Sequence, residues 1–143
     1  MNAKTRPTSI DIELDIQWDS TSTPHFAFKP KLPWVYPDGT LDFTTAAGDV
    51  RVRITLISKG GEKFASQPIG IVPLETFTPG TCPSPSTARH RVFRTEGKGV
   101  SADGRTFTIF NINTGNGQFF YALWFTRKPG RKHFAWDPRI INK

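Results

Sequence analysis

Residues 10–18 place the strongest constraint on the fold. Ile10, Ile12, Leu14, Ile16 and Trp18 alternate without interruption with Asp11, Glu13, Asp15 and Gln17. Successive side chains of a β-strand point to opposite faces, so a strict period of two puts the first set against a core and the second in solvent. The period recurs at Val50, Val52, Ile54 and Leu56, set against Asp49, Arg51, Arg53 and Thr55. One outward row is acidic and the other basic, and opposite charges directly across a ladder contribute about 0.2–1 kcal/mol per pair. These two strands are therefore expected to be antiparallel neighbours.

Shorter extended runs fill the rest of the chain. His25–Lys29 and Leu41–Thr44 read as brief strands, the second following the turn signal Asp38-Gly39. Lys63–Gln67 and Ile69–Leu74 are limited in their pairing by Pro68 and Pro73. Residues 75–104 are rich in Pro and Gly and read as a long, functional or mobile connection holding at most a short strand at Arg91–Thr95. Arg105–Ile112 alternates again. Gln118–Thr126 is apolar on both faces, with Phe119, Tyr121, Leu123 and Phe125 opposing Phe120, Ala122 and Trp124. Such a strand is packed on both sides or presents one face to a partner. His133–Trp136 follows a basic turn.

Composition agrees with this layout. A chain of 143 residues with twelve Phe and four Trp carries enough apolar area for one core. Twelve Gly and twelve Pro suit many short segments joined by turns. The expected fold is all-β: a single antiparallel, Ig-like β-sandwich of about seven to eight strands, spanning 10–143 behind a loose tail at 1–9. A lone cysteine, Cys82, allows no intrachain disulfide, and the polar start and lack of long apolar runs suggest a cytoplasmic protein without membrane association.

Few residues invite catalysis. Asp11, Glu13 and Asp15 share one strand face, but successive outward positions on an open sheet lack the cleft that raises a carboxyl pKa, so a solvated, salt-bridged face is expected. His25, His90 and His133 lie far apart, and with Cys82 they fall short of a blue-copper ligand set because the only methionine is Met1. Neither a metal nor a cofactor is expected. Cys82 has no base placed beside it, Ser101 lies in a turn outside any Gly-x-Ser-x-Gly pattern, and Gly97-Lys98-Gly99 lacks the rest of a phosphate loop.

Charge is the strongest functional hint. Residues 1–83 carry 8 Lys/Arg against 9 Asp/Glu, net −1, and residues 84–143 carry 11 against 3, net +8. Arg127, Lys128, Arg131 and Lys132 flank one turn whose strands hold Trp124, Phe125, Phe134 and Trp136. Single-stranded nucleic acid is bound by such combinations, with cations tracking phosphates and rings stacking on bases. The competing account makes these rings core and these charges solvated.

The ending Phe134-Ala135-Trp136-Asp137-Pro138-Arg139-Ile140-Ile141-Asn142 resembles the close of the DP-EP family, small bacterial β-sandwich proteins that often end in Asp-Pro-x-Ile-x-Asn. The resemblance implies a bacterial source and a compact Ig-like sandwich, and it transfers no catalytic residue.

The leading expectation is a non-enzymatic binding or assembly module, self-associating as a homodimer or meeting another protein through exposed sheet surface. Next comes binding of a polyanion, single-stranded nucleic acid or acidic polysaccharide, through Arg127, Lys128, Arg131 and Lys132 with Arg89, Arg91 and Arg94. An enzyme built on the 75–104 connection ranks third.

Overall fold

The computed structural model describes residues 8–29, 33–46, 48–73, 93–111, 117–127, 132–136 and 138–142. Among them the chain is all-β, with ten strands in two mixed sheets. The first sheet contains β1 (Thr8–Trp18), β2 (Pro24–Lys29), β4 (Val50–Leu56), β6 (Phe93–Val100) and β7 (Thr106–Asn111), in the order β2-β1-β4-β7-β6. The second contains β3 (Leu41–Asp42), β5 (Lys63–Pro73), β8 (Gly117–Arg127), β9 (Lys132–Trp136) and β10 (Arg139–Asn142). Its order is β3-β10-β8-β5, with β9 also paired to β8.

Alternation does what the pattern requires. Ile12, Leu14 and Ile16 of β1 and Val50, Val52, Ile54 and Leu56 of β4 are buried. The two strands are neighbours, but they run parallel, in the register Ile10↔Val52 and Ile12↔Ile54. This corrects both the antiparallel pairing and the purely antiparallel sheet. The long connection through β2 and on to β3 in the other sheet returns the chain to the same end before β4 begins, as a parallel pair demands. Charge complementarity survives the change of direction: Asp11 sits opposite Arg53, with Oδ1 to Nε at 3.5 Å. A second parallel pair joins β10 to β3 at Ile140↔Leu41.

The chain is already paired at Thr8, whose N–H donates to Asp49 O at 3.1 Å, within the segment expected as a tail. Within the expected 75–104 connection, Phe93–Val100 is a strand paired to β7, so that part of the stretch is sheet. Residues 74–92 lie outside the described region.

In the second sheet, β8 pairs along one edge with β9 and β10 in one unbroken register, from Arg127↔Lys132 through Leu123↔Trp136 to Asn142↔Gly117. Pro138 fits between them because it needs only to accept, taking the Tyr121 N–H at 3.0 Å. The pairing of β5 with β8 shifts between Phe64 and Ile69, where Pro68 interrupts the ladder.

Inward side chains of both sheets form one core. Phe26 of the first sheet stacks on Phe125 of the second at 5.7 Å, and Phe64 of the second packs on Phe107 of the first at 5.6 Å. Registers bring the 19–23, 57–62 and 101–105 connections, together with the ends of β8 and β9, to one end of the molecule.

Candidate functional site

That loop end is organised around Trp18, the last residue of β1. Its Nε1–H donates to Glu62 Oε2 at 3.1 Å, its ring meets Phe134 edge-on at 5.0 Å, and the Arg127 guanidinium lies over its face, 3.8 Å from the centroid. Cation, ring and carboxylate thus stand in series. A guanidinium over an indole face gains about 0.5–2 kcal/mol, more as the pair is desolvated. Arg127 is half-buried, and its guanidinium has no hydrogen-bond acceptor among the described residues.

Glu62 is fully buried although it occupies a Gly-Gly-Glu-Lys turn. Space for its carboxylate exists because residue 60 is glycine: a Cβ there would clash with Oε2. Glu62 Oε1 and Ser58 Oγ, in the same loop, are buried with no hydrogen-bond partner among the described residues. Arg105 ties this loop down from the β6–β7 turn. Nη1 donates to Glu62 O at 2.8 Å, and Nη2 donates to Leu56 O at 3.0 Å and to Ser58 O. Lys59 and Lys63 are exposed at the two ends of the Gly60–Glu62 turn.

On the neighbouring β1–β2 turn, Asp19 is an acceptor hub. Oδ1 takes the Thr21 hydroxyl at 2.7 Å, the Thr21 N–H at 2.9 Å and the Thr23 N–H at 3.0 Å, and Oδ2 meets His25 Nε2 at 2.8 Å. The Thr21 hydroxyl first, then His25 and the Thr23 N–H, hold its carboxyl well below the usual carboxylate range. At the β6–β7 turn the Ser101 hydroxyl, followed by the Arg105 N–H, lowers Asp103 in the same way.

The residues singled out from sequence are dispersed. Phe125 is buried and stacked on Phe134 at 5.2 Å, and Trp136 lies parallel to Phe26 at 5.1 Å and edge-on to Phe28 at 5.0 Å. These rings of the basic hairpin therefore face the core; Trp124 lies on the opposite face, half-buried. Lys132 pairs with Arg127 through the backbone, while Lys128 and Arg131 lie outside the described residues, as do Arg89 and Arg91. Arg94 is on β6, level with Phe110, Arg51 and Ser9. Trp18 stands nine residues further along β1 than Ser9, a rise of about 30 Å. Arg94 and Arg127 thus occupy opposite ends.

Asp11, Glu13 and Asp15 form the outward row of β1. Asp11 faces Arg53, and Asp15 pairs with Lys29 at 3.5 Å and takes the Gln17 amide at 2.9 Å. His25 serves Asp19, whereas Cys82, His90 and the side chain of His133 lie outside the described residues. Among the described residues no three His, Cys, Asp or Glu side chains come together as metal ligands. Ser101 is spent on Asp103.

Trp18, Glu62, Arg105, Lys59 and Lys63 carry no local signal of their importance. A carboxylate between Gly-Gly and Lys reads as solvated turn, and Trp18 reads as the last core position of its strand.

No protein-family model matches the chain, and no curated protein matches it.

Proposed function

We propose that the chain is a non-enzymatic binding module that holds a polyanion at the loop end carrying Arg127. The observation behind this is the guanidinium of Arg127, fixed on the Trp18 face with no acceptor among the described residues. Lys59 and Lys63 share that end, and Lys128, Arg131 and Lys132 follow Arg127 in the chain. Among the described residues three carboxylates share the end: Glu62 is buried, and Asp19 and Asp103 are hydrogen-bonded within their own turns. Arg94 belongs to the other end and is not part of this site. An Ig-like arrangement of the two sheets, with loops gathered at the sheet ends, suits such a role.

Neutralising anionic groups on a polymer releases its condensed counterions, so the affinity must fall steeply with salt. Titration with heparin and single-stranded DNA at low and moderate salt tests this. Tight binding that weakens as salt rises supports the reading; binding indifferent to salt, or no binding at low salt, removes it.

A second reading is self-association through the outer face of the second sheet, where Val72, Ala135 and Ile141 are half-buried apolar positions. A monomer at every concentration in light scattering would eliminate it.

A further inference from the structure

We infer that the anion seat is the N–H edge of the Arg127 guanidinium, positioned by Trp18, and that its ligand is an acidic polysaccharide rather than single-stranded nucleic acid. This rests on the polyanion reading above and names the ligand class. Seated 3.8 Å from the indole centroid, the guanidinium carries the forked N–H donors that take a carboxylate or sulfate through two parallel bonds. Trp18 is itself locked: its N–H is anchored to buried Glu62 and its ring is held against Phe134. Arg127 is therefore preorganised, and less side-chain freedom is lost when an anion docks.

Ring availability decides between ligands. Binding of single strands without sequence preference draws about 1–3 kcal/mol per base from stacking on aromatic faces. Here the faces are committed: Trp18 is covered by Arg127, and Phe125, Phe134, Trp136 and Phe26 stack on one another. A chain of repeated anionic groups without bases forgoes nothing at such a surface, whereas a nucleic acid gains only its phosphate interactions.

The test compares a heparin oligosaccharide, oligothymidylate and an abasic deoxyribose-phosphate oligomer of matched length, on the wild type, Arg127→Lys, Trp18→Leu and the double variant, each first checked for a cooperative thermal melt. Arg127→Lys keeps the charge and removes the fork. It is expected to weaken heparin binding about tenfold or more, as loss of a charge-assisted hydrogen bond does. Trp18→Leu should weaken it too, and the two losses should not add, because Trp18 acts through Arg127. Oligothymidylate and the abasic oligomer should bind alike. Wild-type affinity in Arg127→Lys, or additive losses in the double variant, would overturn the seat. Oligothymidylate binding more than tenfold tighter than its abasic counterpart would overturn the polysaccharide assignment in favour of single-stranded nucleic acid. Failure of the wild type to bind any of the three at low salt would end the polyanion reading itself.

Discussion

Among the described residues Tyr121 is the largest fully buried side chain, and its hydroxyl donates to Gly39 O at 2.6 Å. Burial first, and the Asp38 carboxylate second, push its phenol well above the ordinary value. An unfolded tyrosine ionises near pH 10. The folded chain holds the proton, so this contribution to stability is complete below about pH 10 and is lost as the pH rises beyond it. Tyr121→Phe leaves the Gly39 carbonyl buried without a donor and should cost about 1–3 kcal/mol. Urea denaturation of both proteins between pH 7 and 11 checks this, the variant being expected to show a shallower alkaline decline. Gly39 has little freedom to change: its φ is +92°, and a Cβ there would lie 2.6 Å from Pro138 Cβ and from Trp136 Cη2. The sequence marks Asp38-Gly39 as a turn, yet nothing in it tells that the turn lies beneath Trp136 and Pro138 and caps Tyr121.

The β1–β2 hairpin ends in a turn organised by Asp19, with Ser22 in the left-handed region at φ 59° and its N–H donating to Asp19 O at 3.0 Å. Because the folded Asp19 is more acidic than the unfolded one, the stabilisation is present above the ordinary carboxylate range and fades as pH falls towards the lowered folded value. Asp19→Asn should remove this part of the acid dependence while leaving neutral-pH burial intact, as thermal melts between pH 2 and 7 will show. The main strands are legible in sequence where one face is buried, since Ile12, Leu14 and Ile16 repeat a period that belongs to the backbone itself. β6 is harder to read, because Glu96-Gly97-Lys98-Gly99 has the composition of a turn, and its pairing with β7 holds at Phe93–Thr95 and again at Val100, with the register shifting in between. The Pro68 interruption of β5 is legible as a limit on pairing, and the structure places a register shift there.

For the whole molecule, the net charge of +7 matters less than where its parts lie. The registers set Lys63 opposite Thr126, the neighbour of Arg127, at the end that also holds the loop of Lys59, and carry Arg94 to the opposite end. Reversing Lys59 and Lys63 to glutamate should therefore weaken polyanion binding and flatten its salt dependence. With a single-stranded probe the log–log slope should fall by roughly 0.7 for each phosphate no longer neutralised. Reversing Arg94 should leave both nearly unchanged. Fluorescence anisotropy across a salt series measures the two quantities together; equal effects at both ends would mean diffuse attraction without a localised site.

That this chain makes strands, that β1 and β4 each bury one face, and that cations crowd one turn can all be read from the residues in order, because alternation and local charge belong to neighbours in the chain. The parallel course of β1 and β4, and the inward aim of the rings beside the basic turn, emerge only when the sheets assemble. So does the stack of Glu62, Trp18 and Arg127. Each of these depends on residues far apart in the chain meeting across two sheets, and no local pattern encodes which distant partner a side chain will find.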